Sequence, residues 1–140
     1  MTALLDTSML IGPVKPSDIW HDWAEAQFSI LKQEGPLLLV DIVFAEWSIA
    51  MKDRQDVDTT IATLGLQRFP CSDDALYRAG QAFREYRDTR KGTGKRVLPD
   101  MIIGSIAETE NIPLVTANPA DFVSYFPNVI LISPKASPFG

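Results

Sequence analysis

The chain opens on a short apolar segment, Thr2 to Leu5, that stops at Asp6. It reads as a first strand presenting Asp6, Thr7 and Ser8 at its carboxyl end. Ser17 then suits an N-cap, and Ile19, Trp20, Trp23, Ala24, Phe28 and Leu31 fall on one helical stripe that Gly35-Pro36 closes. Leu37 to Val40 has the unbroken apolar pattern of a buried strand, and Asp41 can cap a helix from Ile42 to about Lys52. Further along, the pattern predicts a helix over Val57 to Leu64, a strand over Gln67 to Pro70, and a longer helix capped by Ser72 or Asp73 that reaches about Arg90. Lys91-Gly92-Thr93-Gly94-Lys95 holds two glycines and no apolar residue, as a loop does. Pro99 suits a first helical position, and the helix it starts carries Asp100, Ile103, Ile106 and Ala107 before Asn111 ends it. Pro113 to Val115 is a strand ending in Thr116, Asn118-Pro119 opens a short helix, and Val129 to Ile132 is the last strand. The tail after Ser133 is expected to fray.

Short apolar strands alternating with helices predict an α/β fold with a mainly parallel sheet covered on both faces. Such sheets bind ligands beyond the carboxyl ends of their strands, at a topological switch. Asp6 and Thr116 both stand at such predicted ends.

A length of 140 residues, 46% hydrophobic and 22% charged, fits one globular core and excludes disorder throughout. The single Cys71 cannot form an internal disulfide, the start MTALLDTS lacks the features of a signal peptide, and Asp41 interrupts the best apolar run, so a soluble cytoplasmic protein is expected. The net charge of −5 argues against a protein that grips nucleic acid by bulk phosphate neutralisation. Its distribution changes that picture. Between Arg84 and Arg96 the local balance is +4, which leaves −9 for the rest. Arg84, Arg87, Arg90, Lys91, Lys95 and Arg96 form either a solvated face with a mobile loop or a local phosphate-facing patch.

Glu46 is the most informative acid, because its helical neighbours Ile42, Val43, Ile49 and Ala50 are all apolar. A carboxylate on such a face needs a partner or a rim to reach. Asp6 is embedded between Leu4-Leu5 and Thr-Ser-Met-Leu-Ile, where a turn role is the plain alternative. Asp100 and Asp121 have the ordinary explanation of acids at helix starts. Together, however, Asp6, Glu46, Asp100 and Asp121 can all reach one end of a parallel sheet. Carboxylates gathered there repel one another unless a hard divalent cation neutralises them, so Mg²⁺ or Mn²⁺ is the expected ion. His21 is the only histidine, which leaves little for a His-based nuclease, and Gly92-Thr-Gly94-Lys95 lacks the spacing of a phosphate loop.

Asp6-Thr-Ser, Phe-Ala-Glu46, Pro-Asp100-Met-Ile-Ile-Gly-Ser-Ile-Ala and Thr116-Ala-Asn-Pro-Ala-Asp121-Phe122 resemble, in this order, the motifs of the PIN domain. Among PIN proteins the chain is similar to the VapC toxins of type II toxin–antitoxin modules. The resemblance implies a three-layer α/β/α sandwich with a mainly parallel sheet of four or five strands, over a domain of residues 1–133 followed by a flexible tail, 134–140. It implies a metal-dependent endoribonuclease that cuts structured RNA and leaves a 3′-hydroxyl and a 5′-phosphate. Asp6, Glu46, Asp100 and Asp121 match the catalytic positions, with Asp6 and Asp100 as metal ligands for Mg²⁺ or Mn²⁺. Thr7, Ser8, Thr116 and Asn118 would support them, Asn118 standing where many relatives carry an acid. Arg87, Arg90, Lys91, Lys95 and Arg96 would face RNA. A homodimer and a small antitoxin partner are also implied, with Trp20, Trp23 and Phe28 lining a groove or seam, or else the core. Two other readings stay open from the residues: a receiver-like signalling module with an acidic pocket, and a catalytically silent partner-binding domain.

Overall fold

Strands form where the apolar runs are. In the computed structural model, β1 (Ala3–Leu5), β2 (Leu37–Val40) and β4 (Leu114–Val115) are buried at every position. That pattern marks strands covered on both faces. With β3 (Leu66–Phe69) and β5 (Leu131–Ile132) they make a sheet of five strands in the order β3-β2-β1-β4-β5, parallel throughout. The structure describes residues 2–14, 17, 19–89 and 97–134. The expected basic residues Arg90, Lys91, Lys95 and Arg96, the glycine-containing loop, and all but Pro134 of the expected tail lie outside them.

The register sets Leu4 beside Leu38 on one side and Leu114 on the other, so β1 is the centre of the sheet. The chain moves outward from β1 to β2 and β3, then crosses back to β4. Right-handed crossovers therefore place the helices of the two halves on opposite faces, and the switch point falls between β1 and β4. This is the three-layer α/β/α arrangement the sequence predicts.

The helices are α1 (Thr7–Val14), α2 (His21–Glu34), α3 (Asp41–Ser48), α4 (Arg54–Leu64), α5 (Asp73–Thr89), α6 (Val97–Glu110) and α7 (Ala120–Val123). α1 has no counterpart in the pattern reading, because Gly12-Pro13 signals a break, yet Met9 and Leu10 are fully buried and anchor it. α2 starts at His21 with Trp20 as N-cap and no side-chain bond, so Ser17 is not its cap. Asp41 is the first residue of α3 rather than its cap. Its carboxylate instead pairs with Arg68, whose guanidinium lies 4.5 Å over the Phe44 ring. α4 begins earlier than expected because Asp53 caps it, accepting from the Asp56 amide at 2.8 Å. Ser72 does cap α5, through the Ala75 amide at 3.1 Å. α6 starts before Pro99, which falls in the first turn, where an amide needs no helical partner.

Asn111 ends α6 as anticipated. Its φ of 55° is left-handed, and the Ile112 amide donates to the Ala107 carbonyl at 3.0 Å. This Schellman closure turns the chain directly into β4 and so fixes Thr116 at that strand's end. The aromatic stripe of α2 goes to the core, with Phe28 buried and Trp23 packed against it, and Trp47 of α3 is buried as well. α6 reaches the α7 region through Gly104, where an added Cβ would stand 2.5 Å from the Phe126 ring. α5 and α6 pack as a pair, tied by Arg78, which donates to Glu108 Oε1 at 2.9 Å and to the Tyr125 carbonyl at 2.7 Å. With Ser72 donating to Glu110 at 3.3 Å, this register is antiparallel. The last turn of α5, with Arg87, is therefore level with the first turn of α6, with Asp100.

Candidate active site

The switch point holds an acid that the sequence places there and the fold encloses. Asp6 directly follows β1 and is fully buried. Its Oδ1 accepts from the Thr7 amide at 2.8 Å, and its Oδ2 accepts from the Ser8 hydroxyl at 2.9 Å and the Thr116 hydroxyl at 2.8 Å. The direction of the last two bonds is fixed by a second set. Ser8 Oγ accepts from the Ala117 amide at 3.1 Å, and Thr116 Oγ1 accepts from the Asn118 amide at 2.9 Å. Each hydroxyl thus turns its proton toward Asp6. The result is a carboxylate clamped from both sides of the switch, by residues after β1 and residues after β4.

Glu46 joins this network through Thr7, whose hydroxyl donates to Glu46 Oε1 at 2.8 Å. Of the neighbours named from the sequence, Val43 is buried, but Ile49 and Ala50 lie beyond the end of α3 and are exposed, so Glu46 is half-buried rather than enclosed and takes the donor within reach. Asp100 is buried in the first turn of α6, and α6 packs against α3, the helix that carries Glu46. Asn118 and Asp121 are solvent-exposed, Asp121 in the first turn of α7 with its amide bonded to the Asn118 carbonyl at 3.1 Å. Arg87 is exposed on α5. Asp6, Thr7, Ser8, Glu46 and Thr116 are thus drawn together by direct bonds. Asp100 is buried on α6, the helix packed against α3, and Asn118 and Asp121 are exposed after β4.

Carboxylate and hydroxyl oxygens are a hard donor set, suited to Mg²⁺ or Mn²⁺ rather than to thiophilic ions. A separate group of metal-capable side chains, His21, Asp22 and Glu25, lies at the start of α2. It shares no residue with this pocket, and its His21–Glu25 contact of 3.4 Å is an ordinary i,i+4 pair. The Ala117 and Asn118 amides, which aim the two hydroxyls, are contributions that the sequence reading missed; no side-chain pattern announces a backbone donor.

The structure is thus that of an α/β domain with a parallel five-stranded sheet and a clamped acid at its switch point. The comparisons make it specific. The PIN domain model matches residues 3–125, and the chain belongs to the PIN domain family. No curated protein matches the sequence significantly. Among solved structures, the chain is similar to the VapBC2 complex from Rickettsia felis bound to a DNA fragment from its promoter. That match has TM-score 0.73 and 21% identity, covering 96% of this chain and 100% of that one. It is also similar to VapBC-1 from nontypeable Haemophilus influenzae, with TM-score 0.71 and 15% identity over 95% of this chain and 98% of that one. VapC20 from Mycobacterium tuberculosis, a sarcin-ricin loop cleaving toxin, matches with TM-score 0.54 and 15% identity over 80% and 86%. These likenesses establish the shared fold. Among the described residues, no helix is long and apolar enough to cross a membrane.

Proposed function

We propose that this chain is the toxin of a type II toxin–antitoxin pair, an endoribonuclease of the VapC kind that hydrolyses phosphodiester bonds in structured RNA with Mg²⁺ or Mn²⁺. The observation that carries the reading is the clamped Asp6 at the switch point, with Glu46 tied to it through Thr7. Family membership and the fold shared with VapBC toxins and with a ribonuclease toxin support it.

Asp6 and Asp100 would hold the ion. When bound, it supplies positive charge to the phosphoryl oxygens and acidifies a coordinated water. Glu46, held by the Thr7 hydroxyl, orients the attacking water and takes its proton. Asn118 and Asp121 contact the departing side from the rim. Water oxygen bonds to phosphorus as the bond to the 3′-oxygen breaks, and the departing oxygen takes a proton from solvent, leaving a 3′-hydroxyl and a 5′-phosphate. An acidic pocket repels RNA, so countercharge is needed, and Arg87 supplies it from the helix end level with Asp100. The chain works as a homodimer restrained by a small antitoxin, a partner of the kind carried by the similar VapBC complexes.

The test is cleavage of structured RNA by the purified, antitoxin-free chain. Cleavage is expected with Mg²⁺ or Mn²⁺, and Asp6→Asn or Asp100→Asn should lower the rate at least about 100-fold with the fold intact. Undiminished cleavage in EDTA would overturn the reading.

A further inference from the structure

Between α3 and α6 lies an apolar crevice of about 380 Å³. Ile42 and Ala45 of α3 and Ile102 and Ile106 of α6 wall it, and Cys71, just after β3, also lines it. The crevice adjoins the acids on both helices. Ile42 stands one turn, about 5.4 Å, before Glu46 on α3, so the two share a face. Ile102 and Ile106 belong to the helix that carries Asp100 and packs against α3. Size and lining select the occupant. Each helix contributes a single turn of wall, 42–45 and 102–106, whereas a docked peptide helix needs anchors spread from i to i+7. The volume lies at the small end of ligand pockets, which run from about 300 to 1,000 Å³. Apolar walls suit a flat ring taken out of its stack, as in the pockets that hold extruded bases. An RNA whose scissile phosphate meets Glu46 and Asp100 carries such a ring on the next nucleotide.

Asp41 is the one charged residue of this lining among the described residues, and its side chain is 75% exposed. Its Oδ1 accepts from Arg68, which is itself stacked on the Phe44 ring, so the carboxylate is held in place. A carboxylate only accepts, and its two oxygens offer about four lone-pair sites, so Arg68 leaves room for two further donors. Of the four RNA bases, guanine alone carries two adjacent N–H donors, N1 and N2, on its pairing edge. Adenine and cytosine offer an amino group beside an acceptor nitrogen, and uracil offers one N–H between two carbonyl oxygens. Each of those three sets a lone pair against the second carboxylate oxygen, which costs free energy in a site sheltered from water.

We infer that the crevice between α3 and α6 takes the base of an unpaired guanosine next to the cut, with Asp41 accepting from its N1 and N2. The inference rests on the nuclease reading and names the base that this site selects. Two measurements test it. In the first, the cuts made with Mg²⁺ in a stem-loop RNA with a randomised loop are mapped. The wild type is expected to favour guanine at one position flanking the cut at least about tenfold. Asp41→Asn, which puts an NH₂ donor where an acceptor stood, should lose that preference while cutting guanine-free loops as the wild type does. Ala45→Trp, at an exposed position, fills the crevice and should lose it too. In the second, with the Asp6→Asn chain, a loop RNA bearing guanine should slow alkylation of Cys71 at least about threefold, and the same loop with uracil in its place should not. Cutting with no flanking preference, or a preference that survives both variants, overturns the inference and leaves the nuclease reading standing. Cys71 shielded by an antitoxin and not by the guanine RNA assigns the crevice to protein and overturns it as well. A chain that cuts no RNA ends both.

Discussion

Thr116→Val removes one hydroxyl from the clamp and leaves the shape of the side chain. Thr116 is fully buried, donates to Asp6 Oδ2 at 2.8 Å and accepts from the Asn118 amide at 2.9 Å. Asn118 is exposed, so its amide recovers a water partner and that bond contributes little to the loss. Asp6 recovers nothing, because its environment is closed. A hydrogen bond to a buried charged group contributes about 1.5–3 kcal/mol. With an unfolding entropy of about 2.1 cal/mol/K per residue, a chain of 140 residues has about 0.3 kcal/mol/K in total, so the melting temperature should fall about 5–10 °C. The carboxylate keeps the Thr7 and Ser8 bonds but loses the one that holds it from the β4 side, and losing such an orienting partner costs about 10–100-fold in metal affinity or activity. Calorimetric melting and Mg²⁺-dependent RNA cleavage read the two effects separately, and Thr116→Ser should recover most of both. Wild-type melting and an unchanged Mg²⁺ dependence in Thr116→Val would show that the clamp does not order Asp6.

Three more outcomes follow from the packing and the charges. Gly104→Ala gains helix propensity but drives a methyl to 2.5 Å from the buried Phe126 ring; overpacking of about 1–3 kcal/mol should prevail, lowering the denaturant midpoint. Burial, then the Asp41, Glu110 and Asp73 carboxylates, push the Cys71 thiol above its ordinary range. As pH rises past the ordinary thiol value the unfolded chain loses its proton first, so stability should decline there, and Cys71→Ala should flatten that alkaline slope in urea titrations. Arg87→Glu should weaken RNA cleavage chiefly through KM and reduce its salt dependence, whereas a role confined to folding would change the melting curve instead.

β1, β2 and β4 were legible because each is an unbroken apolar run, whereas β3, with Gln67 and Arg68 exposed in its middle, carries only a faint strand pattern; the parallel order followed from the helices between the strands. Asp6 and Thr116 were legible as a site because a strand end is a position that short-range pattern can fix. Glu46 stood out because the sequence extends its helix to Ile49 and Ala50, whereas α3 ends at Ser48 and leaves those two exposed. What pattern could not supply was anything decided across the sheet. α1 was hidden because Gly12-Pro13 carries a local break signal, while its anchors, Met9 and Leu10, gain their burial from distant elements. Asp41 looked like a cap because Arg68, its true partner, is 27 residues away. The Ser8 bond to the Ala117 amide belongs to the same class, since backbone donors have no signature in a sequence.

The central strand is also the first one made. Asp6 and Thr116 are 110 positions apart, and no shorter stretch of chain contains both halves of the clamp. At roughly 5–20 residues per second, translation needs about 5–20 s to travel between them. Throughout that interval the nascent polypeptide carries its key acid without the strand that finishes its enclosure. A message truncated before Thr116 yields a chain in which the enclosure of Asp6 is never completed.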